Sequence, residues 1–155
     1  MDTSFSDYRH LLRTRGFGRV SVSVHGRVML AVAEGPFDGE LMMATRRAVR
    51  LAAKQLPRDG FFVSLVEFRH SLEMEPEALP RLAEAVHGYI SQGVVSRSLV
   101  FVAGDDLPGV ENLDAVMAIW RPTRPVLRAH NMAEGWRLLN QALVAAGYPA
   151  EPPVA

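Results

Sequence analysis

Residues 61–79 read FFVSLVEFRHSLEMEPEAL, and the fold turns on how this stretch divides. Phe61 to Val66 is an apolar run broken only by Ser64, the composition of a strand covered on both faces. The run ends in Glu67, Arg69, His70 and Ser71, so a polar loop is expected from Glu67 to Met74. A helix follows, starting between Pro76 and Pro80, because proline is comfortable only in a helix's first turn. Leu79, Leu82, Ala83, Val86 and Ile90 give this helix an apolar stripe, and Gly93 closes it. A buried strand leading through a polar loop into an amphipathic helix is the building unit of a parallel α/β sheet.

The same unit recurs on both sides. Upstream, Val20 to Val24 alternates apolar and polar residues, as a half-buried strand does. His25-Gly26 turns the chain into a second strand, Val28 to Ala33, and the pair forms a hairpin. Phe37 to Leu56 reads as a helix, with Leu41, Thr45, Ala48 and Ala52 on one stripe and Arg46, Arg47, Arg50 and Lys54 on a wet face. Downstream, Arg97 to Ala103 is a strand and Gly104 to Pro108 a turn. Val110, Leu113, Val116, Met117 and Trp120 have helical spacing within residues 108–121. Val126 to His130 is a last short strand, and Asn131 caps a final helix that runs to Ala146 with Trp136, Leu139 and Leu143 inward.

The order ββαβαβαβα predicts an α/β fold with a mostly parallel 5-stranded sheet and an N-terminal β-hairpin. One domain is expected at residues 19–147. An N-terminal extension, 1–18, precedes it, with a short helical turn over DYRHLL, and a flexible Pro-rich tail, 148–155, follows.

The chain has 155 residues, a usual length for one domain. Its 17 basic and 17 acidic side chains cancel, which argues against a general nucleic-acid binder. The absence of cysteine excludes disulfides, thiolate nucleophiles and Cys-type zinc sites. No apolar run approaches the ~18 residues of a membrane span, and the first residues lack a signal peptide's apolar segment, so a cytoplasmic location is expected.

In a parallel sheet, chemistry gathers at the C-terminal ends of the strands. Three loops are expected there: 34–38, 67–74 and 104–108, with His130 beside them. Ser71 as a hydrolase nucleophile would need a base and an oxyanion hole. Its neighbour His70 points the other way in extended chain, and no G-x-S-x-G elbow occurs. Asp105 and Asp106 with Glu67 offer oxygen ligands for magnesium, though Asp also simply favours turns. Neither glycine-rich phosphate motif is present. No catalytic residue, metal or cofactor is therefore expected. Trp120 and Trp136 read as core, and one of Met42 and Met43 as a gap-filler.

Two stretches resemble the SpoIIAA-like, or STAS-type, domains of sulfate transporters and anti-sigma factor antagonists. They are VSVHGRVMLAVAEGPFDGE (22–40), a hairpin leading into a helix, and VSLVEFRHSLEMEPEALPRLAEAV (63–86), the strand, loop and helix of the opening stretch. The resemblance covers roughly residues 20–146. Such domains carry a strand-end acid, a loop, then Asp-Ser-Ser/Thr-Gly-Leu at the helix start. Glu67 matches the acid, Glu75 the Asp, and Leu79 the Leu, while Pro76 and Glu77 fall on the two hydroxyl positions and Ala78 on the Gly. In the anti-sigma antagonists that hydroxyl is phosphorylated by a partner kinase. Pro76 and Glu77 cannot be phosphorylated as serine is, so the chain resembles a divergent branch lacking the phosphoacceptor.

The resemblance implies a non-enzymatic regulatory module that binds a protein partner through residues 67–80. The contact residues expected are Glu67, Arg69, His70, Ser71, Glu75 and Glu77, with Phe68 as an aromatic anchor. The alternative is a small-ligand domain for a lipid-like acid or anion, held between the loops by Arg69 and Arg128. A hydrolase ranks third. A homodimer through the 67–80 surface or the hairpin's open edge is the other partner expectation.

Overall fold

A computed structural model describes the backbone of residues 2–4 and all of residues 18–154. The helical turn expected over residues 7–12 lies outside the described residues. The strands are β1 (Asp2–Ser4), β2 (Arg19–His25), β3 (Val28–Glu34), β4 (Val63–Arg69), β5 (Leu99–Val102) and β6 (Val126–Ala129). The helices are α1 (Gly39–Ala53), α2 (Ala78–Ser91), α3 (Leu113–Trp120, entered through a 3-10 turn at Val110–Asn112) and α4 (Met132–Ala145).

The strands form one sheet in the order β1-β2-β3-β4-β5-β6. The pairs β1–β2 and β2–β3 are antiparallel, and every later pair is parallel. The five expected strands and the mostly parallel sheet are present, and β1 adds a sixth strand. Three residues are too few to show a period of two. β1 pairs with Ser21, Val22 and Ser23, so part of the β2 edge offered to a homodimer is already covered.

Because β3 to β6 lie side by side in sequence order, right-handed crossovers must put α1, α2 and α3 on one face. They do: Leu41 and Ala48 of α1, Leu82 and Val86 of α2 and Leu113 and Val116 of α3 share a core with Val22, Phe101 and their neighbours. α4 follows the last strand and closes the other face, where Trp136, Leu139 and Leu143 pack on Val28, Leu65 and Val100. β4 is therefore buried on both sides, as its composition requires: Val63 and Leu65 face α4, and Val66 and Phe68 face the three-helix layer.

Three boundaries differ from the sequence reading. β4 begins at Val63 and runs to Arg69, so Glu67 and Arg69 are strand residues and not loop residues. Pairing with β3 carries the ladder on, with Val32 opposite Glu67 and Glu34 opposite Arg69. α1 starts at Gly39 because Asp38 caps it, accepting from the Leu41 N–H at 2.8 Å. α2 starts at Ala78, inside the expected window between Pro76 and Pro80, with Pro80 in the first turn where no backbone donor is needed. The tail is not free: Tyr148 stacks on Phe61 at 4.5 Å, Glu151 accepts from the Arg27 N–H at 3.1 Å and exchanges two hydrogen bonds with Asn140, and Val154 packs on the α4 core. Asn131 caps α4 as expected, accepting from the Glu134 N–H at 2.8 Å.

Candidate functional site

The loops at the C-terminal ends of β3, β4 and β5 meet, and the middle one is held from both sides. On one side Gly35 N–H donates to Ser71 O (3.0 Å), Phe37 N–H to Glu73 O (2.8 Å) and Glu75 N–H to Phe37 O (2.9 Å). On the other, Leu72 N–H donates to Pro108 O at 2.6 Å, and the Asn112 side-chain amide donates to Leu72 O at 3.0 Å. Gly109, at φ +80°, lies so close that a Cβ there would sit 2.5 Å from the Leu72 carbonyl carbon. Only glycine combines that backbone conformation with that approach. The loop at 70–75 is thus a fixed platform, not a floppy connection.

On the platform His70 adopts φ +67°, a left-handed conformation unusual for any residue but glycine. Its side chain is 71% exposed, with Nε2 3.7 Å from a Glu34 carboxylate oxygen. Glu34 also pairs with Arg19 Nε at 3.0 Å. Beside them Arg69 Nη2 lies 2.9 Å from Glu67 Oε1, and the carboxylate raises the guanidinium's pKa further. Across the loops, Asp105 accepts from Arg128 Nη2 at 2.9 Å and sits 3.1 Å from His130 Nδ1. Among the described residues no group of three or more His, Asp or Glu side chains could hold a metal ion. Asp105, one of the oxygen ligands considered for magnesium, is instead engaged by Arg128.

The six expected contact residues separate. Arg69 and His70 are exposed, and Glu77 is exposed at the α2 N-cap, where its side chain lies against Gly39 of α1. Glu75 is half-buried, and Glu67 keeps only 15% of its side chain exposed. Ser71 is buried, which removes it as a surface contact: its hydroxyl accepts from the Glu73 N–H at 2.9 Å and donates to a Glu73 carboxylate oxygen at 3.1 Å. That is a local turn bond and not a nucleophile's arrangement. Phe68 is no surface anchor either. It faces the core, with ring centroids 6.0 Å from both Phe37 and Phe101.

A second feature escaped the sequence reading. Two abutting cavities, of about 110 Å³ and about 80 Å³, lie between the sheet and the three-helix layer. Val22, Ala31, Val49, Val66, Tyr89 and Trp120 wall both. The larger is apolar throughout and ends at Phe37 and Met74, beneath the platform. The smaller reaches Ser64, Ser96 and Arg124 at the opposite, N-terminal end of the strands. The Tyr89 hydroxyl and Arg124 Nη2 are buried without a hydrogen-bond partner among the described residues. Burial pushes the Tyr89 phenol up and the Arg124 guanidinium down from their ordinary pKa values. Tyr89 sits at i+7 from Leu82 on the α2 stripe, and a hydroxyl on an apolar stripe is the one signal the sequence offered. Arg124, between Pro122 and Pro125, offered none.

No protein family, curated protein or solved structure matches this chain. No helix among the described residues is long and apolar enough to cross a membrane.

Proposed function

We propose that this chain is a cytoplasmic, non-enzymatic module of the SpoIIAA-like, STAS-type kind, which presents the 67–80 surface to a protein partner. The observation that carries this reading is His70: a strained, exposed imidazole held out by a loop fixed on both sides. Backbone strain persists where the surroundings over-determine it, and such positions cluster at functional sites. Here the surroundings are the Gly35–Phe37 and Pro108–Asn112 segments. A rigid platform lowers the entropy lost on docking. Arg69 and His70 are the contacts, and Glu77 supplies a fixed negative charge at the α2 start, where the resembling family has a phosphorylatable hydroxyl.

The alternative ligand site between the loops is disfavoured by its own cations. Arg69 is already paired with Glu67, and Arg128 with Asp105, so each charge is balanced before any anion arrives. Affinity capture from the native host lysate, with the wild type beside an Arg69→Ala/His70→Ala variant, tests the reading. A protein retained by the wild type and lost by a folded variant is the expected result. Identical retention by both would remove the 67–80 surface from the account.

A further inference from the structure

The two cavities under α1, α2 and α3 are separate from the platform's exposed surface and ask for their own occupant. We propose that they form a binding site for a medium-chain aliphatic carboxylate, its tail along the sheet and its head group on Arg124.

The walls set the tail. Val22, Ala31, Val66 and Trp120 run along both cavities, and the Thr45 hydroxyl is taken by the Leu41 carbonyl of its own helix at 2.8 Å. Apolar walls of this kind favour an apolar guest over water. The two volumes, about 110 Å³ and about 80 Å³, together slightly exceed the roughly 150 Å³ of a cavity that accepts benzene. On that scale a chain of about six to eight carbons fits, and a two-chain lipid does not.

The polar end sets the head group. Arg124 is half-buried and held in place, Nη1 donating to Ser96 Oγ at 3.1 Å and Nε to Thr123 Oγ1 at 3.1 Å. That leaves Nη2, buried and without a hydrogen-bond partner among the described residues, on a side chain that walls the smaller cavity. A fixed guanidinium N–H is a charged donor, and a carboxylate is the small group that accepts from it and balances its charge. An amine head group would meet the cation, and an alcohol would leave its charge uncompensated. Burial disfavours the charged guanidinium, and an anion beside it reverses that effect.

The test titrates the whole protein with octanoate and with 1-octanol, followed by NMR. Octanoate is expected to bind in the low-millimolar range or tighter, with intermolecular NOEs to the Trp120 indole. Arg124→Gln is expected to weaken octanoate about tenfold or more and octanol less than about threefold, the loss of one charge-assisted pair. Ala31→Leu, which fills the tail space, is expected to abolish both. If Arg124→Gln does not fold, Arg124→Lys decides, with a loss of about threefold or more for octanoate expected, because an ammonium lacks the guanidinium's fixed Nη2 donor. No octanoate binding, binding without Trp120 contacts, or unchanged octanoate affinity in the folded head-group variant would each overturn the site.

Discussion

Gly109→Ala is the substitution that weighs the platform's clamp. Gly109 and Gly60 share a positive φ, +80° and +78°, but not surroundings. A Cβ at Gly60 meets nothing within 4 Å, whereas one at Gly109 would lie 2.5 Å from Leu72 C and 2.8 Å from Glu73 Cα. Gly60→Ala therefore reports conformational strain alone, about 1 kcal/mol after the gain from a stiffer unfolded chain. Gly109→Ala adds the overpacking of one backbone against another, a further 1–3 kcal/mol or so. The expected loss is about 2–4 kcal/mol, or a fall in Tm of about 10 °C for a chain of this size. Urea denaturation of both variants measures the difference, and hydrogen exchange should show the Leu72 amide losing protection only in Gly109→Ala. Equal costs within about 0.5 kcal/mol would mean that the 70–75 loop is not clamped by its neighbour, and the reasoning about His70 would lose its support.

Three further outcomes follow from other parts of the molecule. Asp59 accepts two hydrogen bonds from Arg27 at 2.8 Å and another from the Phe61 N–H, which together lower its pKa from 3.8 to about 2. Because the folded value is depressed, the pair's stabilisation is present above pH 3.8 and lost as pH falls toward 2; NMR titration of the Asp59 carboxyl near 3.8 would contradict this. Leu139→Ala empties a fully buried position under α4 and is expected to cost about 2–5 kcal/mol, while Val144→Ala, 59% exposed on the same helix, should change stability by less than about 0.5 kcal/mol in denaturant titrations. Tyr89→Phe in the ligand-free protein removes an unpartnered buried hydroxyl and is expected to raise stability by about 1 kcal/mol, read from the same titrations.

Much of the fold was legible because its signals are local. The alternation of Val20 to Val24, the Asn131 cap and the stripe of α4 each depend on residues within a few positions, and the structure holds all three. The misplaced features depend on partners far away in sequence. Glu67 and Arg69 looked like loop residues because they are charged, yet β3 extends the ladder to them. The tail looked free because it is Pro-rich, yet Phe61, Arg27 and Asn140 tie it down. Ser71 and Phe68 looked like contacts from their place in the chain; their burial is decided by Glu73 and by the aromatic pair Phe37 and Phe101. The cavity was illegible for the same reason, since its walls come from β2, β3, β4, α2 and the turn before β6 and exist only once these close on one another.

The central claim is that the platform at 67–80 is where a protein docks, and its most direct measurement is photo-crosslinking in host cells. A benzophenone amino acid placed at position 70 is compared with the same residue at position 144, exposed on the opposite helical face. The account predicts a discrete crosslinked protein at position 70, lost on adding Arg69→Ala, and no such product at position 144. The same product from both positions, or none from position 70, would contradict it.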